Sequence, residues 1–265
     1  MFKERFKDRG ANKRAISRLT VILIVIIVLG SVLAVIGGAI ILGFWKPLGR
    51  IVGSERLASE KKDFSDFAIV EAGWGFEVEI TQSDSYSINI TADENMLDYI
   101  EVSQTGDLLI IGLKWGYSYQ DVTLRAEIKM PELYELRFSG GTHGFVEEFV
   151  SIHEFVVDLS GGSRLSGDFT TSGDAQFTVS GGSRLLGLVG AANNLTANAS
   201  GGSVLELSDF SVHDATVNLS GASSATINLD GGLGGDLSGG SSLKYLGNPT
   251  TVDVNTSGGS TVGPQ

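Results

Sequence analysis

Beyond Asp63 the chain alternates apolar and polar residues with a period of two. The clearest register comes from a recurring marker, "SGG" or a close variant. It begins at Ser139, Ser160, Ser180, Ser200, Ser220, Ser238 and Ser257, at intervals of 21, 20, 20, 20, 18 and 19 residues. The residues one, three and five places before each marker are mostly apolar: Tyr134/Leu136/Phe138, Phe155/Val157/Leu159, Ala175/Phe177/Val179, Leu195/Ala197/Ala199, Ala215/Val217/Leu219, Leu233/Gly235/Leu237 and Val252/Val254/Thr256. Two places before it stand Arg137, Asp158, Thr178, Asn198, Asn218, Asp236 and Asn255, all polar. That alternation predicts a strand with one buried and one wet face, because successive side chains of a strand point to opposite sides.

Five places after each Ser a second apolar column appears: Leu165, Leu185, Leu205, Ala225, Leu243 and Val262. Between the two columns the chain must turn. Glycine reaches positive φ without steric cost, so the corners are assigned to Gly140, Gly141, Gly161, Gly162, Gly181, Gly182, Gly201, Gly202, Gly221, Gly239, Gly240, Gly258 and Gly259. Strand, corner, strand and return every 20 residues describe one coil of a β-solenoid, and coils must stack to bury their apolar faces. A β-sandwich is the competing architecture, but it would not need such regular corners.

Residues 63–130 also alternate, in "FEVEI", "YSINI" and "VTLRAEI", but lack the marker. They are expected to be irregular N-terminal coils that cap the stack, with 131–265 forming the marked coils. "TGD" at Thr105–Asp107 predicts a tight turn, and "ENMLDYI" from Glu94 to Ile100 a helical turn.

A different pattern opens the chain. Leu19 to Phe44 carry no charge and lie between Arg18 and Lys46. As a helix, 26 residues would span about 39 Å, enough for a tilted crossing of a roughly 30 Å hydrocarbon layer. A buried core helix or a cleaved signal peptide are the alternatives. The run is longer than a signal peptide's apolar stretch, and Trp45 stands where an interfacial aromatic belts a membrane span. The expected organisation is a basic cytoplasmic tail at 1–18, a single-pass transmembrane helix at 19–45, a linker at 46–62 and an extracytoplasmic domain at 63–265. Residues 1–18 hold seven Lys/Arg and two acids, a net charge of +5. The whole chain is −12, so the remainder carries −17. Short basic tails stay on the cytoplasmic side. Gly30, Ala34 and Gly38 share one helical face and offer a dimer contact.

The acidic remainder excludes a phosphate-binding basic patch, so no nucleic-acid partner is expected. With no cysteine there are no disulfides and no thiolate metal sites. Glycine is abundant, at 36 residues, while proline numbers four, which excludes a Pro-rich disordered chain.

The opening "FSDFAIVEAGWGFEVEITQ…YSINITADENMLDYIEV…GDLLI", the "IKMPELYELRFSGG" transition and the serial "SGGS" corners together resemble the putative auto-transporter adhesin, head GIN domain family. The resemblance covers roughly residues 63–265. It implies a right-handed parallel β-helix shaped like the pectin lyases but without their catalytic residues, and a role in cell adhesion.

The chemistry-bearing residues are sparse. Asp158 and Asp236 share an outer column about four coils apart, too far to act as a hydrolase pair. Asp174, Glu206, Asp209 and Asp230 are scattered, and His143, His153 and His213 have no ligand spacing. "GGLGGD" at Gly231–Asp236 superficially matches a calcium-binding repeat but stands alone, so it is expected to be another Gly-rich corner. Five glycosylation sequons begin at Asn89, Asn194, Asn198, Asn218 and Asn255. No catalytic, cofactor-binding or metal residues are assigned, and no cofactor is expected. Arg164 and Arg184 share one column one coil apart, a like-charge pair that calls for an anion or for nearby acids such as Asp168. They are the speculative surface-binding residues. The expected function is a non-enzymatic, membrane-anchored adhesion module with a glycan or protein surface ligand. It would self-associate through the anchor or the C-terminal coil, whose short "TVGPQ" leaves the sheet edge open. A polysaccharide lyase or hydrolase, or a component of an envelope-stress system, are the alternatives.

Overall fold

The structure is a computed structural model and describes residues 48–265. The expected anchor at 19–45 and its Gly30/Ala34/Gly38 stripe lie outside these residues. Among the described residues no helix is long and apolar enough to cross a membrane.

The described chain is an all-β solenoid. Two sheets face each other, one of 10 strands and one of 11, and the coil alternates between them. In the 10-stranded sheet Glu135–Phe138, Phe155–Leu159, Ala175–Val179, Asn194–Ala199, Asp214–Leu219, Gly232–Leu237 and Thr251–Thr256 stack in parallel. In the other sheet His143–Ser151, Arg164–Thr171, Arg184–Ala191, Val204–Val212, Ser224–Leu229, Ser242–Gly247 and Thr261–Pro264 do the same. The inward columns read from the marker stand in register, as with Leu136, Val157, Phe177, Ala197 and Val217. These residues are buried. The last triplet departs from this pattern: Val252 lies on an outer strand and is 44% exposed.

Phenylalanines fill the middle of the core. Phe155 stacks on Phe169 with centroids 3.7 Å apart, Phe149 stacks on Phe169 at 5.7 Å, and Phe177 meets Phe155 edge-on at 6.0 Å.

All thirteen predicted corner glycines have φ between +61° and +83°. Behind them runs a column of buried hydroxyls. Ser163, Ser203, Ser223 and Ser241 each donate from Oγ to the carbonyl of the Ser three residues earlier, at 2.7–2.8 Å. The same oxygen in one coil receives the N–H of the preceding coil, as from Ser203 to Ser223 Oγ at 3.3 Å. The marker's second serine therefore satisfies buried polar groups both within a corner and between corners. At one corner the second glycine is replaced by Ala222, whose φ is +62°. A non-Gly residue there costs about 1–2 kcal/mol, of which glycine's larger unfolded-state freedom returns about 0.5–1. Ala222→Gly is therefore expected to raise the thermal midpoint by about 2 °C, measured by circular dichroism; a lower midpoint would show that the corner is unstrained.

The N-terminal region departs from a purely parallel stack. Ile69–Ala72 and Glu77–Gln82 pair in parallel with Glu135–Phe138 and His143–Ser151 on one side and with Leu108–Leu113 and Leu124–Met130 on the other. Ser87–Asp93 runs antiparallel to both of its neighbours, Leu57–Lys62 and Leu124–Met130. Ile100–Thr105 and Leu108–Leu113 form an antiparallel hairpin, turning at Gly106 with φ +61°. So short a turn can join only antiparallel neighbours, because parallel strands need a long crossover. Glu94–Tyr99 is a 3-10 helix, in the place of the expected helical turn. The segment read as a linker contains two strands. Leu57–Lys62 extends the 11-stranded sheet, and Gly49–Val52 pairs in parallel with Tyr117–Gln120. Its charged residues hid the first of these, because an edge strand tolerates Lys and Glu. Asp93, buried at the base of this region, accepts the N–H groups of Glu55 at 2.6 Å and Thr123 at 2.7 Å and so ties the segment down.

Candidate binding surface

Because Ala126, Val78, Gly144, Leu165 and Leu185 face inward, the residues just before them point outward from the 11-stranded sheet. They form a column in register: Arg125, Glu77, His143, Arg164 and Arg184. Two residues further along, Glu127, Glu79, Phe145 and Ser166 form a second column. At the head of the first column Arg125 Nε donates to Glu77 Oε2 at 2.8 Å. Arg164 and Arg184 are exposed on neighbouring strands, about 4.8 Å apart along the stack, and among the described residues neither makes an ion pair. Asp168, the acid expected to neutralise them, lies opposite Val189 beyond a register shift and pairs with neither. Beside this cationic ledge lies a shallow depression of about 490 Å³ lined by Glu79, Glu127, His143, Phe145 and Ser166. Phe145 is 45% exposed there.

The 10-stranded sheet presents a different surface. Arg137 grips Glu135 with two hydrogen bonds, at 2.6 and 3.0 Å, and approaches Glu71 at 3.9 Å. Asp158, next in the same column, is exposed, with its carboxylate partly shielded from water by the groups around it. Burial and the nearby Glu135 carboxylate raise its pKa, while Arg137 partly opposes the shift. Further along, the amides form a ladder: Asn218 Nδ2 donates to Asn198 Oδ1 at 3.0 Å, and Asn255 Nδ2 to Asp236 Oδ1 at 3.1 Å. The backbone N–H of Asp236 donates to Asn218 Oδ1 at 3.2 Å. These groups satisfy one another, so this face spends its polarity on holding coils together. Asp158 and Asp236 stand four strands apart, about 19 Å, beyond the roughly 5–9.5 Å that paired glycosidase carboxylates require.

Residues 66–249 match the family described as "Putative auto-transporter adhesin, head GIN domain". The chain belongs to this family. Solved structures share its fold. A "putative adhesin" from Bacteroides fragilis superposes with a TM-score of 0.76 at 18% identity, covering 81% of this chain and 100% of its own. A "putative adhesin" from Parabacteroides merdae gives 0.62 at 18% identity, covering 82% and 99%. A protein named "putative lipid binding protein" from Parabacteroides distasonis gives 0.59 at 18%, again covering 82% and 99%. No curated protein matches the chain.

The remaining predicted residues of this head GIN domain are dispersed. His143 joins the ledge, while His153 packs edge-on against Tyr134 at 4.7 Å. His213 Nδ1 bonds Asp230 at 2.8 Å, and that hydrogen bond, with Asp214 nearby, raises its pKa. Among the described residues no three His, Cys, Asp or Glu side chains gather around a common point. The "GGLGGD" run is a corner only at its start: the chain bends at Asp230 and Gly231, Gly232–Leu237 is a strand, and the next corner follows at Gly239 and Gly240. His143, which the sequence left without a role, and Phe145, which it did not single out, had a usable signal. They stand four and six places after Ser139, as Arg164 and Ser166 do after Ser160. Arg125, Glu77, Glu79 and Glu127 had none, because the marker is missing there and antiparallel insertions break the count.

Proposed function

We propose that this chain is a non-catalytic, membrane-anchored, extracytoplasmic adhesion module that holds an acidic glycan on the outer face of its 11-stranded sheet. The observation that carries the reading is the Arg164–Arg184 ledge, two exposed guanidinium groups in register with no carboxylate partner among the described residues. Guanidinium forks bind carboxylate or sulfate groups bidentately, and two stacked forks suit a chain bearing repeated charges. Phe145 supplies an apolar face beside them. The adhesin names carried by the family and its structural neighbours agree with this class of role. The uncharged run at 19–44 supports the anchor, and the basic tail before it favours a solenoid on the outside.

On an array of acidic and neutral glycans, the full chain is expected to retain acidic glycans. The Arg164→Ala/Arg184→Ala variant should bind them at least tenfold more weakly. The Arg164→Lys/Arg184→Lys variant should recover only part of the loss, since a lysine lacks the fork. Equal binding by wild type and the alanine variant would refute the ledge as the site.

A further inference from the structure

A group of aromatic side chains lies at the N-terminal end of the solenoid, far from the ledge in sequence. Trp115 meets the ring of Trp74 edge-on with centroids 5.6 Å apart, and Tyr119 meets Trp74 at 6.2 Å. Tyr99 packs against Tyr117 at 5.0 Å and Tyr119 at 6.2 Å. Tyr99 and Tyr119 rest on the core, whereas Trp74 is 41% and Trp115 66% exposed. Tyr119 keeps its hydroxyl satisfied by donating to the Lys114 carbonyl at 2.7 Å. Each ring thus presents an apolar body with a polar handle, the chemistry enriched where membrane meets water.

What brings this group near a membrane is chain length. Tyr117–Gln120 is hydrogen-bonded in parallel to Gly49–Val52, and a Cβ on Gly49 would touch the Tyr117 ring at 3.8 Å. Only Lys46, Pro47 and Leu48 separate Gly49 from Trp45. Four fully extended steps reach at most about 14 Å, while the headgroup layer on each side of a bilayer is roughly 5–8 Å deep. A chain anchored through its 19–44 run therefore keeps Gly49, and with it the paired Tyr117–Gln120 strand, within about 14 Å of Trp45 along the chain.

We propose that Trp74, Tyr99, Trp115, Tyr117 and Tyr119 form an interfacial seat that rests on the membrane carrying the chain. This rests on the anchored reading above.

Tryptophan emission tests the proposal in the full chain reconstituted into phosphatidylcholine vesicles, with or without bromine at acyl carbons 6 and 7. In Trp45→Phe only the two cap tryptophans emit. Their emission is expected to fall at least twofold in brominated vesicles, with a blue-shifted maximum. In Trp74→Phe/Trp115→Phe only Trp45 emits and reports the anchor. Quenching of Trp45 with no quenching of the cap pair would overturn the seat and leave the anchor standing. Loss of both would overturn the anchor and the seat together. A cap pair indifferent to brominated lipid but shifted by a soluble acidic oligosaccharide would make the aromatic group a glycan platform and also end the proposal. The β-sheet signal in circular dichroism confirms that each variant is folded.

Discussion

Gly190→Ala is expected to lower the thermal midpoint by roughly 10 °C, whereas Gly182→Ala lowers it by only a few degrees. The two glycines look alike in sequence, eight residues apart in one coil, but their surroundings differ. Gly182 lies at a corner with φ +76° and no atom within 4 Å of a would-be Cβ. An alanine there pays only the left-handed strain of about 1–2 kcal/mol. Gly190 lies in Arg184–Ala191 with φ +134°, between Phe169 and Phe210 in the register. A Cβ would stand 1.9 Å from the Phe169 carbonyl oxygen and 2.7 Å from its carbon. Those atoms are backbone in a paired strand, so they cannot swing away. Strain of about 1–3 kcal/mol and overpacking of about 1–3 kcal/mol add, and at about 2–4 °C per kcal/mol for a chain of this size the larger shift follows. Thermal melts of the two variants, side by side, check the ranking; equal shifts would mean that the chain relaxes around Gly190.

Phe155→Ala is expected to cost about 3–5 kcal/mol. Its ring is fully buried, stacks on Phe169 at 3.7 Å and meets Phe177 edge-on. Truncation leaves a hole between the two sheets that side chains on neighbouring coils cannot fill without leaving their rotamers. Each coil of a solenoid touches only its neighbours, so the damage should be local. Hydrogen exchange should accelerate most in Phe155–Leu159, Arg164–Thr171 and Ala175–Val179, while Ser242–Gly247 keeps its protection. Phe145→Ala, which removes a ring that is nearly half exposed, should change stability by less than about 0.5 kcal/mol. Uniform loss of protection along the whole stack would contradict the coil-by-coil picture.

These two residues divide differently between sequence and structure. Phe155 was legible, since it stands five places before Ser160, in a column that a period-two strand must bury. The special role of Gly190 was not. Nothing in "RLLGLVGA" distinguishes a glycine required by close backbone approach from one that is merely tolerated. Gly167 and Gly235 are the same case, with φ of +131° and +137° and a would-be Cβ 2.0 Å from the carbonyl oxygens of Val146 and Val217. Such contacts exist only once the preceding coil is in place.

The candidate surface shows the same division. Arg164 and Arg184 could be placed in one outward column from their distance to the marker, because a 20-residue coil maps sequence offset directly onto height along the stack. Their isolation could not be read, since Asp168 is near in sequence but separated from them by a register shift. Likewise, the rings of Trp74, Tyr99 and Trp115 come together only because the N-terminal strands insert out of order.

By itself, the sequence determined the strands, corners and inward and outward columns of the marked coils up to the last one, and the family, because a repeated local rule needs no knowledge of distant contacts. Tertiary structure alone decided the antiparallel cap, the crowded glycines, the unpaired arginine ledge and the aromatic group. Each of these depends on which strand lies next to which, and where the repeat is broken no local pattern records that choice.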